Sequence, residues 1–247
     1  MAAKKHIDKI LKDWPFDSDH LSVRLVDGDD GREIIQMRID LGLLQLETQG
    51  RPDGTRPFGN ETVYHHLVSR QKSDDNEFVM DDEQCNEIDR EFVQFYHRRI
   101  CWLTLRKFDY AVRDADHTLA LMDFCRAHSP DEEWTMSHEQ YRPFVLFHRT
   151  QASALSAVEE ENPEAAIQNI NEGLDNFRTF FECYDAEDHF EEDELVKRLV
   201  ELRESMREQF EVGKTLHEQL ADAVAAEQYE LAARLRDELA QRGDGGH

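Results

Sequence analysis

The sequence predicts a mainly α-helical protein, an array of helical hairpins with a small N-terminal β-meander and a further helical hairpin at the C-terminus. Three observations carry this. Period-two alternation of apolar and polar residues is confined to the first sixty residues. Beyond Asn60, helix-start signals punctuate the chain, and two of its helical segments align on each other without gaps. After Leu195 the apolar residues fall in alternating steps of four and three.

The elements follow in order. Residues 1–60 form the first region. It opens with MAAKKHIDKILKDWPF, where Lys4 and Lys5 precede no apolar core, so it does not read as a secretory signal. Ile7, Ile10, Leu11 and Trp14 instead fit one face of a short amphipathic helix. HLSVRLV is followed by DGDDG, residues that tolerate the left-handed backbone of a hairpin turn. In REIIQMRID, Ile35, Met37 and Ile39 alternate with Gln36, Arg38 and Asp40, as in a strand buried on one face. Gly42 marks a bend or bulge before Leu44 and Leu46. QGRPDGTRPFGN is loop chemistry.

Residues 61–190 form the helical region. Asn60 is placed to cap a helix through ETVYHHLVSRQK, and Asp81 and Asp82 suit the start of the next. Ser137 and Gln140 have capping-box spacing, and Asn162-Pro163-Glu164 combines a cap with proline in the first turn. YAVRDADHTL (110–119) aligns on AAIQNINEGL (165–174), matching Ala111 with Ala166, Val112 with Ile167 and Leu119 with Leu174. Upstream, FYHRR (95–99) aligns on LFHRT (146–150). Each unit reads as helix, turn, helix, with a small residue where the helices cross. The arrangement resembles tetratricopeptide-like repeats, although the copies are offset by 51 residues (95 to 146) and 55 residues (110 to 165). The family period is about 34. A generic pair of α-hairpins accounts for the same pattern.

A connecting helix is expected over 191–213, carrying Leu195, Leu199, Leu202 and Met206 and weakened near Gly213 on its way towards Ala226. The unit at 214–242 follows, and 243–247 is a polar tail. Its first half places Leu216, Leu220 and Val224 on one face, and a turn falls near Glu227-Gln228. The second half sets Tyr229, Ala232, Ala233, Leu235, Arg236 and Leu239 opposite, with Asp237 beside them. The run Tyr229-Glu230-Leu231-Ala232-Ala233-Arg234-Leu235-Arg236-Asp237 resembles the UVR motif, the helical hairpin named for UvrB and UvrC of bacterial nucleotide excision repair. Val224 departs from the small residue of that pattern, and Glu227 from its frequent aliphatic.

The resemblance implies a bacterial docking hairpin whose apolar seam meets another helical pair, with Arg236 and Asp237 pairing across the contact. Two helices of about three turns cannot close a core alone, and a second hairpin would complete a four-helix bundle. Proteins with this motif include the repair proteins, Clp-type chaperone subunits and an adaptor of protein arginine kinase. The sequence has neither the ATPase, nuclease or helicase motifs nor the paired CxxC elements of those relatives.

Composition narrows the function further. With 54 acidic against 29 basic side chains and a formal net charge of −25, the chain is poorly suited to bind nucleic acid or anionic lipid directly. No stretch reaches the ~18 apolar residues of a membrane span. Cys85, Cys101, Cys125 and Cys183 are scattered singly, which fits reduced thiols of a cytoplasmic protein. Adjacent His65 and His66 point about 100° apart on a helix, and Asp114 with His117 lacks a completing metal motif. No GxSxG, P-loop or GxGxxG is present. The expectation is a non-enzymatic adaptor without metal or cofactor, docking onto a UVR-bearing partner or a second copy of itself. The alternative is an enzyme or metal-dependent regulator with a site between meander and helices, near Arg51, Asp53, His65 and His66.

Overall fold

A computed structural model describes residues 6–73 and 78–244. The expected tail beyond residue 244, Lys4, Lys5 and the start of the acidic run at 74–77 lie outside the described residues. The chain is mainly helical, with ten α-helices and one three-stranded antiparallel sheet among the described residues. It divides into two compact units, residues 1–145 and 146–247.

In the first unit, α1 (Asp8–Asp13) precedes β1 (Val23–Asp27), β2 (Glu33–Ile39) and β3 (Gly42–Glu47). The strands form a meander of order β1-β2-β3, with Ile35 opposite both Leu25 and Leu46. The DGDDG turn closes β1 on β2 with Gly31 at φ 79°, a conformation glycine adopts without a Cβ clash. Gly42 is not a bulge. It pairs with Ile39 across a two-residue turn, Asp40-Leu41, and opens β3. Nor is β2 half-buried: Gln36 and Arg38 are buried on the face expected to be wet, while Ile39 is exposed. The reason is a polar ladder, Arg24 to Gln36 to Gln45, covered where Trp14 stacks 4.1 Å from the Arg24 guanidinium. Arg38 Nε donates to the Trp14 carbonyl at 2.9 Å.

Four helices follow in the first unit, α2 (Val63–Ser73), α3 (Asp82–Thr104), α4 (Phe108–His128) and α5 (Glu132–Glu139), and α6 (Arg142–Glu159) begins there. Val63, Leu67, Ile88, Leu121, Met122 and Cys125 form the centre of its core. Asp81 caps α3 in a full capping box with Gln84. The expected cap at Asn60 is displaced. Thr62 Oγ1 accepts from the His65 N–H, and the Glu91 carboxylate of α3 receives the Val63 and Tyr64 N–H groups at 2.8 and 3.4 Å. Ser137 starts no helix either. Asp131 caps α5, and Ser137 lies within it, donating to the Trp134 carbonyl.

The second unit holds the rest of α6 with α7 (Pro163–Cys183), α8 (Glu194–Phe210), α9 (Leu216–Ala225) and α10 (Tyr229–Asp244). Asn162 caps α7, with Pro163 in the first turn. The aligned segments are the second helices of two hairpins closed the same way. A left-handed residue, Arg106 or Glu161, is followed by a residue whose N–H reaches back to the preceding helix, Lys107 to Trp102 O and Asn162 to Ala157 O, both at 2.9 Å. Ala111 and Ala166 are fully buried. Where α6 crosses α7, a Cβ built on Gly173 would lie 2.2 Å from Thr150 Oγ1, so only glycine permits that approach. The helix expected to run towards Ala226 with a weak point near Gly213 is interrupted there outright, because Glu211 turns left-handed (φ 54°) and Thr215 caps a new start.

Candidate functional site

The site begins at the break after α8. Thr215 and Glu218 form a capping box: the Glu218 N–H donates to Thr215 Oγ1 at 3.3 Å and the Thr215 N–H to Glu218 Oε2 at 2.7 Å. Arg207 at the end of α8 ion-pairs with Glu218 and donates to the Gly213 carbonyl at 2.7 Å, so a single guanidinium spans the break. Burial pushes the Glu218 carboxyl up, but the bonds from Arg207, the Thr215 N–H and Asn171 outweigh it and hold it below its ordinary value.

Helices α9 and α10 are joined by the turn seen in the other two hairpins. Glu227 is left-handed at φ 55°, and the Gln228 N–H reaches Ala223 O at 2.8 Å. Ala223, Ala232 and Leu235 are buried between the two helices, with Leu216 and Leu220 half-buried against them. The small side chains let the backbones approach, and the three leucines fill what remains. This seam is closed by the hairpin's own two helices.

The ten residues expected to meet a partner therefore divide. Leu216, Leu220, Ala232 and Leu235 pack within the hairpin, and Leu239 is half-buried. Val224, Tyr229, Ala233, Arg236 and Asp237 are exposed. Val224 is 53% exposed: it sits at the edge of the α9 seam of Leu216, Leu220 and Ala223, about 100° round the helix from Ala223. Tyr229 is 68% exposed, and Arg236 pairs with adjacent Asp237 at 2.8 Å on the surface. Leu231, which the pattern treats as variable, is also exposed. Tyr229, Ala233, Arg236 and Ala240 stand at i, i+4, i+7 and i+11, forming one stripe along the outer side of α10.

The residues of the alternative site fall in the first unit and are tied up in structural bonds. Arg51 is buried and donates to Glu87 Oε2 at 2.6 Å. Asp53 folds back on Thr55 and receives Gln94. His65 bonds Thr62 at 2.8 Å, while His66 stacks on Phe58 with centroids 4.3 Å apart. Asp114 is engaged by Arg98 through two bonds of 2.7 and 2.9 Å, and His117 by Glu91 at 2.9 Å, so that pair faces different partners. Among the described residues, no three His, Cys, Asp or Glu side chains gather as a metal site. Cys85, Cys101 and Cys125 are buried thiols, Cys101 pushed up to about 12 by burial, and Cys183 is exposed.

Among the described residues no helix is long and apolar enough to cross a membrane. No curated protein and no solved structure matches the chain. The family model of the UvrB/uvrC motif matches residues 214–241, which are the capped start, both helices and the turn of the hairpin just described: the chain carries a UVR motif, a protein-interaction hairpin, at its C-terminal end.

Proposed function

We propose that the protein is a cytoplasmic, non-enzymatic adaptor that docks through the outer face of its C-terminal hairpin onto another UVR hairpin, in a partner or in a second copy of itself. The observation that carries this is the exposure of Val224 and Tyr229 on a unit in which, among the described residues, only Ala223, Ala232 and Leu235 are buried apolar residues. A pair of helices with so small a core gains stability by covering its remaining apolar surface. A second hairpin laid on that surface gives a four-helix bundle. Exposed Arg236 lies within the stripe and its partner Asp237 beside it, and such exposed charges orient partners more than they tighten binding. The absence of catalytic motifs from the sequence supports a non-enzymatic role, and the charge of −25 supports a protein partner over nucleic acid. The motif's occurrence in excision repair and Clp-type proteolysis makes those processes the setting of the proposal.

The test compares the wild-type chain with a Val224→Asp/Tyr229→Ser double variant, by light scattering for self-association and by affinity capture with mass spectrometry for a partner. Both sites are exposed, so the fold is retained. Loss of association in the double variant is expected, whereas equal recovery of partner and equal mass in solution would sink the reading. Leu235→Asp is a poorer probe, because Leu235 lies in the hairpin's own seam and its replacement unravels the unit.

A further inference from the structure

A second apolar surface lies far along the sequence from the hairpin, in the first unit. Phe92, Val93 and Tyr96 of α3, Met122 of α4, Tyr141 and Phe144 line a groove of about 580 Å³. Val93 is 55% and Tyr141 59% exposed, with Tyr96 and Phe144 also open to water. Large apolar side chains gathered in one concavity on so acidic a chain mark a binding surface rather than chance exposure. The volume falls within the range of small-molecule sites, which combine apolar walls with a few convergent polar groups.

Those polar groups gather towards the N-terminal end of α3. Asp89 lines the groove one turn before Phe92 and Val93 and two before Tyr96, on the same side of the helix. Its Oδ1 accepts from Trp134 Nε1 at 3.0 Å and from His138 Nε2 at 2.8 Å. Both donors are neutral, since burial pushes the His138 imidazole below its ordinary value despite the bond to Asp89. The carboxylate is therefore held in place without losing its charge. Both bonds fall on one oxygen and the side chain is 47% exposed, so the second oxygen can accept from a ligand. Ser137 also lines the groove and donates its proton to the Trp134 carbonyl at 2.6 Å, which leaves its Oγ as an acceptor. Arg99 lines the groove ten residues further on, about 15 Å along α3, where it donates to Thr118 Oγ1 and lies in the field of the buried Asp114 carboxylate. The groove thus has acceptors at one end, aromatic walls along its length and an engaged guanidinium at the other end.

We propose that this groove binds a small organic cation, a primary ammonium on an aryl or alkyl body, with its head at Asp89 and Ser137 and its body between Phe92, Tyr96, Tyr141 and Phe144. An ammonium carries three donors and no acceptor, which matches a carboxylate oxygen and a hydroxyl oxygen that both accept. Aromatic faces attract a cation as well as its apolar body. The net charge of −25 raises the local concentration of cations and disfavours an anion in the same groove.

The experiment titrates the full chain with 2-phenylethylammonium and with 2-phenylethanol, which shares the body and lacks the charge, by calorimetry. Salt at about 0.15 M screens the field of distant acids. The ammonium binds saturably, and the alcohol about ten-fold or more weakly, the difference a charge-assisted bond makes. Asp89→Asn keeps an oxygen for Trp134 and His138 and removes the preference for the ammonium. Tyr141→Ser, at an exposed position, weakens both ligands alike, and Glu201→Gln, which removes an exposed acid of α8, changes neither. Should Asp89→Asn fail to fold, the alcohol comparison and Tyr141→Ser decide the matter. Equal binding of ammonium and alcohol, a preference that survives Asp89→Asn, or unchanged binding in Tyr141→Ser overturns the proposal. So does an equal loss of preference in Glu201→Gln, or saturable binding of a lysine-containing peptide where 2-phenylethylammonium fails.

Discussion

Glu91 is fully buried, and its carboxylate gathers the Val63 and Tyr64 N–H groups and His117 Nε2, with Arg51 Nε 3.6 Å away. One side chain thus starts α2, ties it to α3 and orients an imidazole on α4. A buried carboxylate is stable only when its lone pairs are filled, and each donor here would itself be orphaned without it. Glu91→Ala is expected to destabilise the chain by about 3–5 kcal/mol, as removing one side of a buried charge cluster does. Urea unfolding measures it, and a loss well under 1 kcal/mol would show that water replaces the carboxylate. In the sequence Glu91 is one acid among 54, with no capping spacing to mark it. The cap at Asn60 is legible and displaced for the same reason: the Val63 N–H of α2 meets an acceptor 28 residues further on, which local pattern does not reveal.

At the scale of the element, the start of α9 depends on Thr215, Glu218 and Arg207. The Glu218 carboxyl lies below its ordinary value in the folded protein, so its contribution is complete above pH 4.5 and is lost as pH falls through the lowered value. Protection of the Thr215 amide, taken relative to its intrinsic exchange rate at each pH, should therefore fall in mild acid, by about ten-fold for each 1.4 kcal/mol lost. Glu218→Gln should remove that pH dependence, and an unaltered profile in the variant would refute the assignment. The three hairpins close with non-glycine residues in left-handed backbone, Arg106, Glu161 and Glu227, at a cost of roughly 1–2 kcal/mol each. That is why their turns escape a search for glycine and show instead as repeated flanking patterns. The central strand β2 misled for the converse reason. Gln36 and Arg38 are polar and yet buried, since neighbouring strands and Trp14 supply their partners.

At the scale of the whole molecule, the docking role proposed for the C-terminal hairpin has its own test. Truncation after Gly213 leaves α8 and everything before it with their own cores. The shortened chain should stay folded by circular dichroism and lose association in light scattering. Association that survives truncation would transfer the docking role to another surface. The sequence by itself determined the helical class, the meander, the caps at Asp81 and Asn162 and the C-terminal hairpin, because each rests on short-range spacing and backbone preference. It also carried the motif match at 214–241. The tertiary structure alone decided which residues of that hairpin are buried and which are exposed. Leu216, Leu220 and Leu235 look like docking residues in sequence, but seam residues and surface residues differ by a single position on a helix. Only the partner helix shows which of them it covers.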